Sequence, residues 1–130
     1  MKRTTVRRAS VVALALTSLM GVGATAQADA QRLVSCGITG IDFCLFEHDD
    51  YAGARQDFLF TGPSGGCANA GPLNNKASSM KNPSGRRIQF YNSAHCAGSY
   101  GYAAAPRSSD SDLTNNGFDN LTSSVKSVNP

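Results

Sequence analysis

The chain has 130 residues, 41% of them hydrophobic and 16% charged. This fits one globular domain and excludes a disordered, charge-rich polymer. The formal net charge of +3 comes from four basic residues before position 10 (Lys2, Arg3, Arg7 and Arg8) with no acid among them. Without those four, eight basic residues face nine acidic ones, which excludes a basic groove for nucleic acid.

Residues 1–28 have the three parts of a secretory signal peptide. The four basic residues form its start, residues 11–22 its apolar middle, and Ala26-Gln27-Ala28 a small-x-small cleavage site. The apolar run is too short to cross a bilayer and no second candidate follows. Arg7-Arg8 gives only a weak twin-arginine signal. Leu33-Val34-Ser35-Cys36 lies too far from the apolar run to act as a lipobox. The expectation is a secreted protein with one domain over residues 29–130.

All four cysteines (Cys36, Cys44, Cys67 and Cys96) fall after the leader. An even count in an exported chain of roughly 100 residues argues for two disulfides supporting a small core. Three pairings are possible; Cys36–Cys44, close in sequence, with Cys67–Cys96 is favoured over the others. The spacing lacks the close Cys-x-x-Cys pairs of a zinc site.

Moving the chain against itself by 45 residues gives a gap-free match. Phe43-Cys44-Leu45-Phe46 falls on Ile88-Gln89-Phe90-Tyr91, Gly53 on Gly98, and Asn74-Asn75 on Asp119-Asn120. Ser78-Ser79 falls on Ser123-Ser124 and Met80-Lys81 on Val125-Lys126. Such a period signals two copies of one supersecondary unit, about 36–82 and 86–128. Each copy reads as β-structure: apolar, aromatic runs at 43–46 and 88–91, second strands at 55–60 and 98–105, and closing strands at 76–81 and 122–128. The intervals 61–75 and 106–117 read as turn-rich connections, and no helical stripe follows the leader. The predicted architecture is all-β: two four-stranded Greek keys packed as a small sandwich.

Two motifs recur in register. One is Phe46-x4-Tyr51-x-Gly53, with Tyr91-x4-Cys96-x-Gly98 as its second copy. An aromatic ring covers a tight hairpin, and glycine takes a backbone shape that other residues resist. The other is Asn74-Asn75-Lys76-Ala77-Ser78-Ser79, repeated as Asp119-Asn120-Leu121-Thr122-Ser123-Ser124, each 28 residues after its outer aromatic. The chain resembles the microbial βγ-crystallin domain over about residues 36–128. Within it, the chain is most similar to the small secreted actinobacterial proteins grouped with metalloproteinase inhibitors. The run Cys44-Leu45-Phe46-Glu47-His48-Asp49-Asp50-Tyr51-Ala52-Gly53 carries much of that likeness.

The resemblance implies calcium between the two units. Its oxygen ligands would be Asn75, Lys76 and Ser78 from one stretch, Asn120, Leu121 and Ser123 from the other, and the carbonyls of Glu47 and Asn92 from the hairpins. Calcium accepts such neutral oxygens, and so few carboxylates imply weak sites of about 10⁻⁴ to 10⁻³ M. The alternative is a structural corner without metal, since Asn, Ser and Thr bond their own backbone in tight turns.

His48, Asp49, Asp50 and His95 read as solvated hairpin residues, and no catalytic residue is assigned because no nucleophile or oxyanion site accompanies them. The hydrolase, zinc-protease and phosphate-loop motifs are absent, so no enzyme is expected. Arg86-Arg87 reads as a solvated basic pair at a strand edge. The glycine-rich stretch from Gly62 is either a plain connection or, around Gly65, Gly66, Cys67 and Ala68, an inhibitory loop held in place by a disulfide. The leading expectation is a secreted, monomeric peptidase inhibitor acting on a secreted metalloprotease. The alternatives are a calcium-binding structural or stress protein and a killer-toxin-like protein.

Overall fold

The computed structural model describes residues 35–38, 40–62 and 66–130; the leader and Gly65 of the candidate loop lie outside these. Among the described residues, eight strands form two antiparallel sheets: β1 Phe43–Phe46, β2 Arg55–Phe58, β3 Cys67–Asn69, β4 Ser79–Asn82, β5 Arg87–Tyr91, β6 Tyr102–Ala104, β7 Ser108–Asp110 and β8 Ser124–Val128. One sheet has the order β2-β1-β4-β7 and the other β3-β8-β5-β6. Short 3₁₀ turns over Asp49–Tyr51, Gly71–Leu73, Ala94–Cys96 and Leu113–Asn116 link them.

The 45-residue shift holds at the strands that carry the core. β1 and β5 are the paired aromatic runs, and each has inward residues two apart: Phe43 and Leu45 in one, Ile88 and Phe90 in the other. All four are fully buried, as strand alternation requires of residues facing a second sheet. Phe43 and Phe90 meet edge to face at 5.6 Å, joining the sheets across the middle. Met80 and Val125, a further repeat pair, complete this layer from β4 and β8.

Two strands lie inside the intervals that read as turns. β3 and β7 are three residues long, polar and partly exposed, so neither carries a strand-like apolar pattern. Their pairing makes them important. β3 comes from the first unit but bonds β8 of the second, while β7 comes from the second unit but bonds β4 of the first. The fourth strand of each sheet is therefore exchanged between the units.

The second strand of the second unit is shorter than the 98–105 expectation and covers only Tyr102–Ala104. Gly98 holds a left-handed φ of 76°, and at Gly101 a Cβ would sit 2.4 Å from Phe118 Cε2. Only glycine admits that ring. Of the Arg86-Arg87 pair, Arg87 is solvated at the start of β5, and Arg86 is not. β5 is an inner strand rather than an edge, and Arg86 Nη2 donates to the Gly62 carbonyl (2.8 Å), tying the glycine-rich stretch down.

The favoured cysteine pairing forms: Cys36–Cys44 fastens the entering chain to β1, and Cys67–Cys96 joins β3 to the second hairpin. The bridges span 8 and 29 residues respectively. Loop entropy grows with the logarithm of span. Removing Cys67–Cys96 should therefore cost about 1 kcal/mol more than removing Cys36–Cys44. Urea unfolding of the two double-serine variants measures the difference.

Candidate functional site

The two hairpin corners are copies of one construction. In the first, Asp50 and Tyr51 both adopt left-handed φ values of 54° and 61°; in the second, His95 and Cys96 do so at 59° and 53°. Consecutive non-glycine residues in that region cost energy and persist only where their surroundings hold them. A serine does this in each copy. Ser79 Oγ donates to the His48 carbonyl (2.6 Å) and accepts from the Tyr51 N–H (3.0 Å). Ser124 Oγ donates to the Ser93 carbonyl (2.5 Å) and accepts from the Cys96 N–H (2.9 Å). Both serines are fully buried. At Gly53 a Cβ would lie 2.7 Å from His48 Cδ2, so the first hairpin closes only over glycine.

The corners differ in what covers them. Tyr51 packs edge to face on Phe46 at 5.6 Å, with Lys81 Nζ 4.2 Å above its ring. Cys96 takes the place of Tyr51 in the second copy and instead bonds Cys67. His95 N–H donates to Asn69 Oδ1 (2.8 Å), adding a second tie between this hairpin and β3.

The two Asn/Asp-rich stretches meet at the seam. The Asn75 N–H donates to the Thr122 carbonyl (2.9 Å), and the Asn120 N–H donates to the Ala77 carbonyl (3.0 Å). Each is the other's image under the repeat. Asn75 and Asn120 hold left-handed φ values of 55° and 56°. The Ser78 N–H reaches the Phe46 carbonyl and the Ser123 N–H the Tyr91 carbonyl, so each stretch also adjoins its own hairpin.

Ser123 Oγ donates to Asn75 Oδ1 at 3.0 Å. A side chain from each stretch thus meets in one place, and a site there draws on both units. Ser78 and Ser123 are buried, Glu47 is half-buried, and Asn75, Lys76, Asn92, Asn120 and Leu121 are exposed. The Glu47 carboxylate accepts from the Ala54 N–H (3.3 Å) within its own hairpin. The other stretch is arranged differently: Asn120 Nδ2 donates to Asp119 Oδ2 (3.0 Å). Two buried oxygens nearby, Asp119 Oδ1 and Thr122 Oγ1, have no hydrogen-bond partner among the described residues.

By residue pattern alone Asp49 is a solvated hairpin residue and Asp112 has no role. Desolvation, with the carboxylates of Asp112, Asp119 and Asp50, pushes the Asp49 carboxyl above its ordinary range, and His48 opposes the shift. The Asp50 N–H also donates to the Ser111 carbonyl (2.9 Å), which fastens the first hairpin to the segment holding Asp112. This grouping arises from the β7 exchange, and nothing in residue spacing signals it. Among the described residues, no three His, Cys, Asp or Glu groups are placed to hold a metal ion. The donors on offer are amide, hydroxyl and carbonyl oxygens, which suit a hard cation and not zinc.

Only part of the candidate inhibitory loop is irregular. Cys67 and Ala68 lie in β3, an edge strand paired on one side with β8 through Cys67↔Lys126 and Ala68↔Val125. The Ser127 N–H donates to the Gly66 carbonyl (3.2 Å), extending that pairing. Cys67 and Asn69 are exposed.

Residues 41–103 match the model of peptidase inhibitor family I36. No curated protein matches the chain. Among solved structures, an archaeal βγ-crystallin is 26% identical at a TM-score of 0.52, covering 66% of this chain and 95% of its own. A structure concerned with the evolution of the eye-lens βγ-crystallin domain fold is 18% identical with a TM-score of 0.60, covering 75% and 94%. A βγ-crystallin domain from Clostridium beijerinckii is 20% identical with a TM-score of 0.53, covering 67% and 97%. The last two bear on the fold alone.

The corner serines make a direct test of the duplicated construction. Ser79→Ala and Ser124→Ala each leave a carbonyl and an N–H without their partner, and should each destabilise by about 1–3 kcal/mol. Chemical denaturation should give nearly equal losses for the two.

Proposed function

We propose that this chain, which has the βγ-crystallin fold and is similar to peptidase inhibitor family I36, is a secreted, non-enzymatic inhibitor that presents a rigid extended segment to a metalloprotease cleft. The observation that carries the reading is the edge strand Cys67–Asn69. It is already extended, bonded on one side to β8, and fixed by the Cys67–Cys96 disulfide. A peptidase binds its substrate as an extended chain through main-chain hydrogen bonds. A segment ordered beforehand avoids the conformational cost of binding. Export fits the two disulfides, which persist in oxidising compartments.

Calcium at the seam is part of the proposal. Asn75 and Ser123 side chains, with the Lys76 and Asn92 carbonyls, would hold one ion. Asn120, Ser78 and the Leu121 and Glu47 carbonyls would hold its counterpart. The 3.0 Å approach of Ser123 Oγ to Asn75 Oδ1 and the unpartnered Asp119 Oδ1 support an oxygen-lined site of this kind. The ion would supply cross-linking of the units and no catalysis. A calcium-stabilised crystallin with no peptidase target is the second reading, favoured by the same seam.

One measurement separates these readings, and a second tests the calcium that both share. Titrating a panel of secreted zinc and serine endopeptidases with the oxidised protein should give stoichiometric inhibition of a zinc enzyme, weakened in the Cys67→Ser/Cys96→Ser variant that no longer fixes the strand. Full activity across the panel leaves only the crystallin reading. Calcium at ten times its Kd should stabilise the fold by about 1.4 kcal/mol per site. Thermal unfolding with calcium or chelator reads this out, and Ser123→Ala should reduce the gain. An unmoved midpoint at millimolar calcium removes the sites.

A further inference from the structure

The exchanged strands β3 and β7 correspond residue by residue. Ala68 faces Val125 and Asp110 faces Met80, and Val125 and Met80 are partners in the repeat. The next residues, Asn69 and Ser111, therefore occupy equivalent places beside the two hairpins. Each hairpin sends the N–H of its first left-handed residue to that place. In the first, the Asp50 N–H donates to the Ser111 main-chain carbonyl (2.9 Å). In the second, the His95 N–H donates to the Asn69 side chain, at Oδ1 (2.8 Å), and Asn69 Nδ2 lies 3.4 Å from His95 Nδ1. An amide side chain has taken over the task of a carbonyl.

That change alters what the main chain can do. The Ser127 N–H donates to the Gly66 carbonyl, and the Ala70 N–H to the Ser123 carbonyl (2.9 Å). Bonded residues alternate in an antiparallel ladder, so 66, 68 and 70 face β8, while Cys67 and Asn69 turn their N–H and C=O groups to the open edge. At Ser111 the carbonyl is spent on the hairpin; at Asn69 the side chain takes that role and the carbonyl stays available. The edge is also rigid. Cys67 is bonded to Cys96, Ala70 is fully buried, and Ala68 packs on the core. Its side chains have little to offer a pocket, since Cys67 and Asn69 are tied to the hairpin and Ala68 carries only a methyl group.

We propose that Asn69 is a positioning residue of the inhibitor: its amide holds the second hairpin, so that its own main-chain carbonyl accepts a hydrogen bond from the peptidase. This rests on the inhibitor reading and deepens it, because the recognition it implies is by main chain. An extended chain added to a sheet edge gains affinity from such bonds, and alternate side chains only tune it. A rigid acceptor loses little freedom on binding. The partner is an endopeptidase whose cleft offers a main-chain N–H to an extended chain. The first corner does not serve in this way, since the Ser111 carbonyl is already bonded to its hairpin.

The test compares the oxidised wild-type protein with Asn69→Ser and Asn69→Asp against a secreted zinc endopeptidase whose metal is held by two histidines and a glutamate. Serine gives position 69 the side chain found at Ser111. It is too short to replace the amide, so the His95 N–H falls back on the main-chain carbonyl, as in the first corner. Ki should then rise about 10-fold, the loss of one hydrogen bond to the enzyme. The thermal midpoint should move by only a few degrees, because the hairpin regains an acceptor. Aspartate keeps an oxygen where Oδ1 lies, so its Ki should stay within about three-fold of wild type. Equal Ki for wild type and Asn69→Ser overturns the assignment and leaves the inhibitor reading standing. A rise that Asn69→Asp shares does the same, by placing the amide itself against the enzyme. A rise accompanied by a midpoint lower by about ten degrees or more also overturns it, by making the tie purely structural. Absence of inhibition by the wild type overturns the inhibitor reading and this inference with it.

Discussion

Two buried hydroxyls hold the architecture in place. Ser79 and Ser124 each satisfy a carbonyl and an N–H of a hairpin whose consecutive residues are left-handed. Without that support, Asp50-Tyr51 and His95-Cys96 would relax toward ordinary conformations, and the hairpins would no longer fold back over their sheets. Those hairpins place Glu47 and Asn92 beside the Asn-rich stretches, and the second one meets β3 through Cys96. The seam and the candidate inhibitory strand therefore depend on the same pair of side chains.

The symmetric scaffold has been put to unequal uses. At the first corner an aromatic ring, Tyr51, covers the fold-back, and desolvation with the neighbouring carboxylates of Asp112, Asp119 and Asp50 pushes the Asp49 carboxyl up. At the second corner a cysteine replaces that ring and joins Cys67. Tyr91 meets Tyr100 instead, at 6.4 Å. The ring lost from the second hairpin is thus exchanged for a covalent hold on the exposed edge strand. In the inhibitor reading, this is how a duplicated binding scaffold comes to have one presenting edge.

What could be read from residues alone follows from where burial and repetition act together. β1, β5, β4 and β8 bury paired residues such as Leu45 and Phe90 or Met80 and Val125, so the 45-residue shift marks them strongly. The left-handed Asn75 and Asn120 and the corner glycines fall on the same register. β3 and β7 escaped because edge strands of three residues bury little: Cys67-Ala68-Asn69 and Ser108-Ser109-Asp110 look like turns. They also depart from the register, beginning at 67 and 108 rather than 45 residues apart. The meeting of Asn75 with Ser123 was hidden for a related reason. Each stretch is legible by itself, but which oxygens share a site depends on how the two units clasp.

The exchange of β3 and β7 also bears on ancestry. A chain carrying one copy of the unit would leave each sheet short of an edge and its inward aromatics uncovered. Two such chains related by a dyad could make good the deficit by trading those strands, giving the same pair of sheets. Fusing the genes would then have changed connectivity without requiring a new packing arrangement. It would also have freed the halves to drift apart, so that a cysteine could arise in one corner while the tyrosine stayed in the other.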